Sequence, residues 1–171
     1  GKYTTYRNMA EDVVDAACRK LGSKAACETD RRSLAGSLPV GLDEYLREIV
    51  PQLAKRFQVA PETVRHLVHF YGARAEKVLQ LTHDDPRLAE AISPESRDIY
   101  AQILYGIREE GAKTIADIVL RRMHLGITSS RGAPQAVKIA ETAARELGWS
   151  NDEKKHRVEA FMHDLSKERM F

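Results

Sequence analysis

Leu42-Asp-Glu-Tyr-Leu-Arg-Glu-Ile-Val-Pro-Gln-Leu-Ala-Lys-Arg-Phe57 is the stretch whose reading decides the fold. Leu42, Tyr45, Leu46, Ile49, Leu53 and Phe57 recur at helical spacing, which puts them on one face of an amphipathic helix. Pro51 interrupts the stretch without changing that face, so a kinked helix is expected here. Downstream, Pro61 suits a first helical turn, and Val64, Leu67, Val68 and Tyr71 form a second stripe that ends at Gly72. A short helix over 73–81 follows. Ser93-Pro94 is expected to open a longer helix with Tyr100, Ile103, Leu104 and Ile107 inward.

The pattern continues to the end of the chain. Thr114-Ile-Ala-Asp117 resembles a capping box, with Asp in place of the usual Glu or Gln, and restarts a helix carrying Ile115, Ile118, Val119 and Met123. Ala133-Pro134 begins another, with Val137, Ala140, Ala144 and Leu147 on the core side and Gly148 as the stop. Ser150-Asn-Asp-Glu153 reads as a capping box that opens a final helix with Val158, Phe161, Met162 and Leu165 buried. Upstream, Met9, Val13, Ala16, Ala17 and Leu21 make a stripe behind an N-cap at Thr4 or Thr5, and Gly22 stops that helix. The fold class is therefore all-α, a compact domain of about seven to eight helices with no sheet.

Composition narrows the function classes. Lys and Arg total 27 against 25 for Asp and Glu, and a net charge of +2 makes no general case for nucleic-acid binding. No apolar run is long enough to span a bilayer, and no secretory signal is evident. Cys18 and Cys27, with no CxxC, read as two reduced structural thiols. His66 and His69 share a helix face at i, i+3 spacing but have no obvious third ligand, so no metal is assigned. His156 and His163 read the same way. Arg121 is expected to pair with Asp117 at i, i+4, and Arg122 with a carboxylate of another helix. Glu109 and Glu110 are the candidate partners. A phosphate contact is the sharper alternative for the two arginines. Lys154, Lys155 and Arg157 read as a solvated face.

Gly1-Lys-Tyr-Thr-Thr-Tyr-Arg-Asn-Met-Ala-Glu11 starts abruptly, as if cut from something larger, and places a cation and two hydroxyls just before a helix. This segment resembles the G-G-K-x-T-T-Y-R-x-x-A-E motif of FAD-dependent glycerol-3-phosphate dehydrogenases. Ordered similarities follow: Cys27-Glu-Thr29 and Leu34-Ala-Gly36, Tyr71-Gly72-Ala-Arg74, Tyr105-Gly-Ile-Arg-Glu109 through Asp117 to Arg121-Arg122, and Glu146-Leu-Gly-Trp149. Gln102 stands where the family usually has Glu.

The resemblance implies three segments: residues 1–22 as the tail of the flavin-binding domain, packed on the rest; 23–41 as a linker; and 42–171 as the C-terminal helical domain. The family's enzymes oxidise sn-glycerol 3-phosphate to dihydroxyacetone phosphate. Their FAD takes the hydride, and quinone or oxygen takes the electrons. By that resemblance Lys2 lies at the active site of the parent enzyme, and the backbone of Tyr3, Thr4 and Thr5 faces its flavin. The implied setting is cytoplasmic, with peripheral association on the inner membrane face and subunit contacts through the helical domain. The isolated chain, with no bound cofactor, is expected to be inactive. The alternative reading is a free-standing helical interaction module with no flavin connection.

Overall fold

The computed structural model describes residues 2–168. Gly1, the first residue of the N-terminal motif, lies outside the described residues, as do residues 169–171. Eight α-helices and five short 3-10 turns occur among the described residues, and the only β pairing is an isolated Ala91–Ile99 bridge. The chain divides into two compact units, Gly1–Ser37 and Leu38–Phe171.

The first unit holds one α-helix, α1 (Tyr6–Lys20), preceded by a 3-10 turn over Tyr3–Thr5. Gly22 follows at φ +70°, a left-handed geometry open to glycine without a Cβ penalty. The expected apolar stripe exists, but its members stay in solvent: Met9, Val13 and Leu21 are all exposed, and no residue of α1 is buried. Residues 23–37 form turns and extended chain beside it.

The second unit holds α2 (Leu42–Phe57), α3 (Pro61–Tyr71), α4 (Ala75–Asp84), α5 (Ala101–Arg108), α6 (Ile115–Arg122), α7 (Ala136–Leu147) and α8 (Asn151–Glu168). Helix α2 runs through Pro51 uninterrupted and buries Leu46, Val50 and Leu53. Its first stripe residue, Leu42, remains exposed at the helix start. Two apolar clusters make the core. One joins α2, α3 and α4; the other joins α6, α7 and α8. Helix α5 serves both. Ala101 and Tyr105 face the first cluster, while Ile103 and Ile107 face the second. Six of its eight residues are buried, as required of a helix enclosed on all sides.

Three expectations need correction. The helix predicted from Ser93-Pro94 begins only at Ala101. Ser93 Oγ accepts the Glu95 N–H at 3.1 Å and Ser96 Oγ accepts the Asp98 N–H at 3.0 Å, so side chains take the backbone donors that a helix would use. The Tyr100 N–H instead pairs back to the Glu90 carbonyl, and the Ile92 N–H pairs forward to the Asp98 carbonyl. Helix α7 buries Ala136, Ile139, Ala140 and Ala143, which leaves Val137 exposed: the 3-10 turn Ala133–Gln135 shifts its start and its face. In α8, Phe161 and Leu165 are buried but Met162 is exposed.

The capping boxes differ in completeness. Thr114 Oγ1 accepts the Asp117 N–H at 3.0 Å and Asp117 Oδ2 accepts the Thr114 N–H at 3.0 Å, so the Asp-containing box is complete. At α8, Ser150 Oγ accepts the Glu153 N–H at 3.2 Å, while the Glu153 carboxylate takes Arg157.

Candidate functional site

Two places bear the polar side chains that the sequence singles out, one in each unit. In the first, Lys2 precedes the 3-10 turn in an extended conformation, and Lys2, Tyr3, Thr4 and Thr5 are all exposed. Thr5 occupies the N-cap position of α1 but does not cap it. Its hydroxyl donates back to the Lys2 carbonyl at 2.8 Å, in parallel with its own N–H at 3.0 Å. The start of α1 therefore has no side-chain acceptor, and its first turn contains no acidic residue. An ammonium and an uncapped helix N-terminus lie within one turn of chain. Such a donor set suits an anionic or electron-rich group.

Arg7 braces this start against the following segment. It donates to Glu11 at 2.8 Å and to Thr29 Oγ1 at 3.3 Å, and Cys27 Sγ lies 3.1 Å from the same hydroxyl. The Glu11 carboxylate holds the Arg7 guanidinium above its ordinary value. A groove of about 800 Å³ runs between α1 and residues 25–34, lined by Ala10, Val14, Ala25 and Leu34 among others. Cys18 and Cys27 are both free thiols.

In the second unit the centre is Asp98, fully buried between α3, α5 and the turn after α6. His66 Nε2 lies 2.7 Å from its Oδ1, Ser96 Oγ donates to Oδ2 at 2.8 Å, and the Leu125 N–H donates to Oδ2 at 2.6 Å. Gln102 Nε2 donates to Oδ1 at 3.2 Å. Burial by itself would push the Asp98 carboxyl up. The bonds from His66, Ser96 and Leu125, with the His66 charge, outweigh it and hold the group below the usual carboxylate value. An ionised carboxylate only accepts, so Nε2 is the protonated nitrogen of His66. Gln102 also donates to Tyr71 Oη at 3.3 Å and accepts the Ile99 N–H at 2.9 Å. Tyr71 Oη in turn donates to the Arg122 carbonyl at 3.4 Å. Burial raises the Tyr71 phenol far above its ordinary value.

This chain of bonds ends at a cleft of about 450 Å³ lined by Phe70, Tyr71, Glu110, Arg121 and Arg122. Arg121 makes the expected i, i+4 pair with Asp117 at 2.7 Å. Arg122 has its carboxylate from outside its own helix, Glu110 at 3.7 Å, and donates to the carbonyls of Glu110 and Asp117 at 2.7 and 3.1 Å. Burial pushes the Glu110 carboxyl up, against the opposing charges of Arg122 and Arg74. Arg157 pairs with Glu153 and lies over the Trp149 ring at 5.2 Å from its centroid, so the charged run of α8 is only partly solvated. Among the described residues no group of three His, Cys, Asp or Glu side chains could hold a metal, and no helix is long and apolar enough to cross a membrane.

In the sequence His66 reads as an ordinary histidine and Gln102 only as a departure from the family the chain resembles; Asp98, around which both assemble, is missed. The signal was the serine-rich run Ser93-Pro-Glu-Ser-Arg-Asp98, whose hydroxyls favour turns over helix.

Comparison with known proteins bears on both places. Residues 27–154 match the family model described as the C-terminal domain of alpha-glycerophosphate oxidase. A glycerol-3-phosphate dehydrogenase of Synechocystis sp. is 32% identical over 157 residues, which are 90% of this chain and 27% of that protein. A probable mitochondrial glycerol-3-phosphate dehydrogenase of Dictyostelium discoideum is 34% identical over 163 residues, 92% of this chain and 24% of that protein. The chain thus spans about a quarter of the length of these relatives. The crystal structure of a glycerol-3-phosphate dehydrogenase from Bacillus halodurans, complexed with FAD, superposes with a TM-score of 0.79 at 27% identity. It covers 96% of this chain and 34% of that one.

Proposed function

Because the chain belongs to the family of the C-terminal domain of alpha-glycerophosphate oxidase, we propose that it is the C-terminal part of an FAD-dependent glycerol-3-phosphate dehydrogenase. One observation carries this reading: the fit to the FAD-complexed dehydrogenase extends over 96% of the chain, beyond the helical domain that the family model matches. The match favours an enzyme part over a free-standing interaction module.

In this reading residues 1–22 are the tail of the flavin-binding domain, residues 23–41 a linker, and residues 42–171 a helical domain that braces the catalytic part. The parent oxidises sn-glycerol 3-phosphate to dihydroxyacetone phosphate and passes the electrons to quinone or oxygen. FAD, when bound, supplies the hydride acceptor. The Lys2 ammonium and the uncapped start of α1 would offer positive charge to a reduced, negatively charged flavin, which supports this reading. Lys2 would hold the substrate and flavin end of the site, with the backbone of Tyr3, Thr4 and Thr5 facing the ring. The setting is cytoplasmic, with the parent peripheral on the inner membrane face and self-association through the helical domain. The isolated chain lacks most of the flavin site and would not turn over substrate.

The test is Lys2→Ala in the full-length protein. Turnover of glycerol 3-phosphate should fall by about a hundredfold, the scale for loss of one charge-stabilising donor, with the melting temperature unchanged. Unchanged kinetics would remove Lys2 from the site. A reading frame that does not extend upstream through a dinucleotide-binding motif would remove the enzyme reading itself.

A further inference from the structure

The Lys2 carbonyl is held twice by one residue. The Thr5 N–H donates to it at 3.0 Å, closing the 3-10 turn Tyr3–Thr5, and the Thr5 hydroxyl donates to the same oxygen at 2.8 Å. A carbonyl oxygen has two lone pairs, so both bonds form at once. The hydroxyl has a single proton and a second acceptor in reach, Met9 Sδ at 3.6 Å. The carbonyl is nearer and the stronger acceptor, so it takes the proton. Thr5 stands at the N-cap position of α1, where a hydroxyl ordinarily accepts from the N–H groups of its own helix. Here it donates backward, toward Lys2, instead.

The consequence is directional. Lys2 is extended, at φ −89° and ψ 134°, and exposed. A lone 3-10 bond has poor geometry and constrains its residues loosely. The second bond ties the plane of the Lys2–Tyr3 peptide to the first turn of α1, so the Lys2 Cα leaves that plane in a set direction. The β-branched Thr5 side chain adds to this, because its χ1 is stiff. The ammonium then sits on a flexible four-carbon stem whose root is fixed. A hydrogen bond in solvent adds little to stability, so what this one supplies is orientation.

We propose that Thr5 is a positioning residue for Lys2: its hydroxyl, donating to the Lys2 carbonyl, aims the Lys2 ammonium at the reacting end of the flavin site. The inference rests on the reading that the chain is part of a glycerol-3-phosphate dehydrogenase with Lys2 at the active site. It goes beyond that reading, in which Thr5 offers only its backbone.

The experiment measures kcat in the full-length protein, at saturating FAD and glycerol 3-phosphate, for Thr5→Val, Thr5→Ser, Lys2→Ala and the Lys2→Ala/Thr5→Val double variant. Thr5→Val keeps the shape and loses the donor. It should lower kcat about fivefold, the scale of one hydrogen bond, with the loss falling on kcat rather than KM and the melting temperature unchanged. Thr5→Ser keeps the donor and should recover most of that loss. In the Lys2→Ala background Thr5→Val should cost nothing further, because no ammonium is left to aim. A merely structural threonine would cost the same factor with or without Lys2. That result, or a Thr5→Val enzyme at the parent rate, overturns the positioning role alone. Lys2→Ala turnover equal to the parent's overturns the placement of Lys2, and the positioning role with it. Thr5→Ala, which also lacks the donor, takes the place of Thr5→Val if that variant does not accumulate.

Discussion

Helices α1 and α2 are nearly equal in length, 15 and 16 residues, and both carry an apolar stripe. Helix α2 buries Leu46 and Leu53 of its stripe, with Val50 beside them, against α3 and α4, while α1 buries none. The difference is not in the periodicity, which reads the same in both. Amphipathic spacing says which face of a helix seeks cover; it does not say what covers it. A 15-residue helix is marginal in water by itself, and none of the residues of α1 is buried. The second unit holds an apolar core of its own, and the helix of the first buries no residue.

The largest break in that contrast should come from Asp98→Ala. The substitution leaves the His66, Ser96 and Gln102 side chains and the Leu125 N–H without their shared acceptor in the second unit. Removing one member of a buried charged network costs about 3–5 kcal/mol, which urea unfolding of the chain would register. No residue of α1 is buried, so no substitution there should approach this loss. The same carboxylate sets an acid limit. Its native pKa lies below the ordinary one, so its contribution is complete above about pH 4 and is lost as the pH falls through the depressed native value. An Asp98→Ala chain should accordingly lose less stability between pH 5 and acid than the parent sequence does.

A smaller effect is expected from Gln102→Glu, the residue that the resemblance implies at this position. Gln102 donates one N–H to Asp98 and one to Tyr71 from a fully buried position. A glutamate there would place a second carboxylate beside Asp98 and remove both donors. Like charges raise the newcomer's native pKa, so the penalty, about 1–3 kcal/mol, is greatest at neutral pH. Its like-charge part shrinks as the pH falls through that raised value and is gone below the ordinary glutamate value of about 4.3, while the loss of one of the two donors remains. Thermal melts at pH 7 and pH 5 should therefore show the gap to the parent chain narrowing at the lower pH. A gap that widens would mean that Asp98 is already protonated.

The all-α class and nearly every helix were legible because the stripes of α2, α3 and α6 are strict. The complete box at Thr114 and Asp117 was legible as well, since its two bonds are local. What escaped was set at long range. The stretch before α5 looks helical in its apolar residues, but Ser93 and Ser96 take its backbone donors, and the resulting turn delivers Asp98 to partners 27 and 32 residues away. No local pattern announces a bond to Leu125 or His66. Lys2 through Thr5 were recognised from resemblance, and the described residues around them explain a helix start without yet enclosing a site.

The finest test of the contrast uses one residue type in two settings. Thr114 and Thr5 both precede a helix, at α6 and α1. Thr114 accepts the Asp117 N–H, so Thr114→Ala removes a formed cap and should cost about 1 kcal/mol. Thr5 instead donates to the Lys2 carbonyl and leaves the helix start open. Thr5→Ala should therefore cost this chain only about half a kcal/mol or less in denaturant unfolding, the scale of an exposed substitution. In the full-length protein the order should change in kind rather than size. Thr114→Ala is expected to act on stability alone, whereas under the proposed flavoenzyme reading Thr5→Ala is expected to lower flavin affinity. Equal losses of stability in the isolated chain would show that Thr5 caps α1 after all, and that its helix start is closed to any ligand.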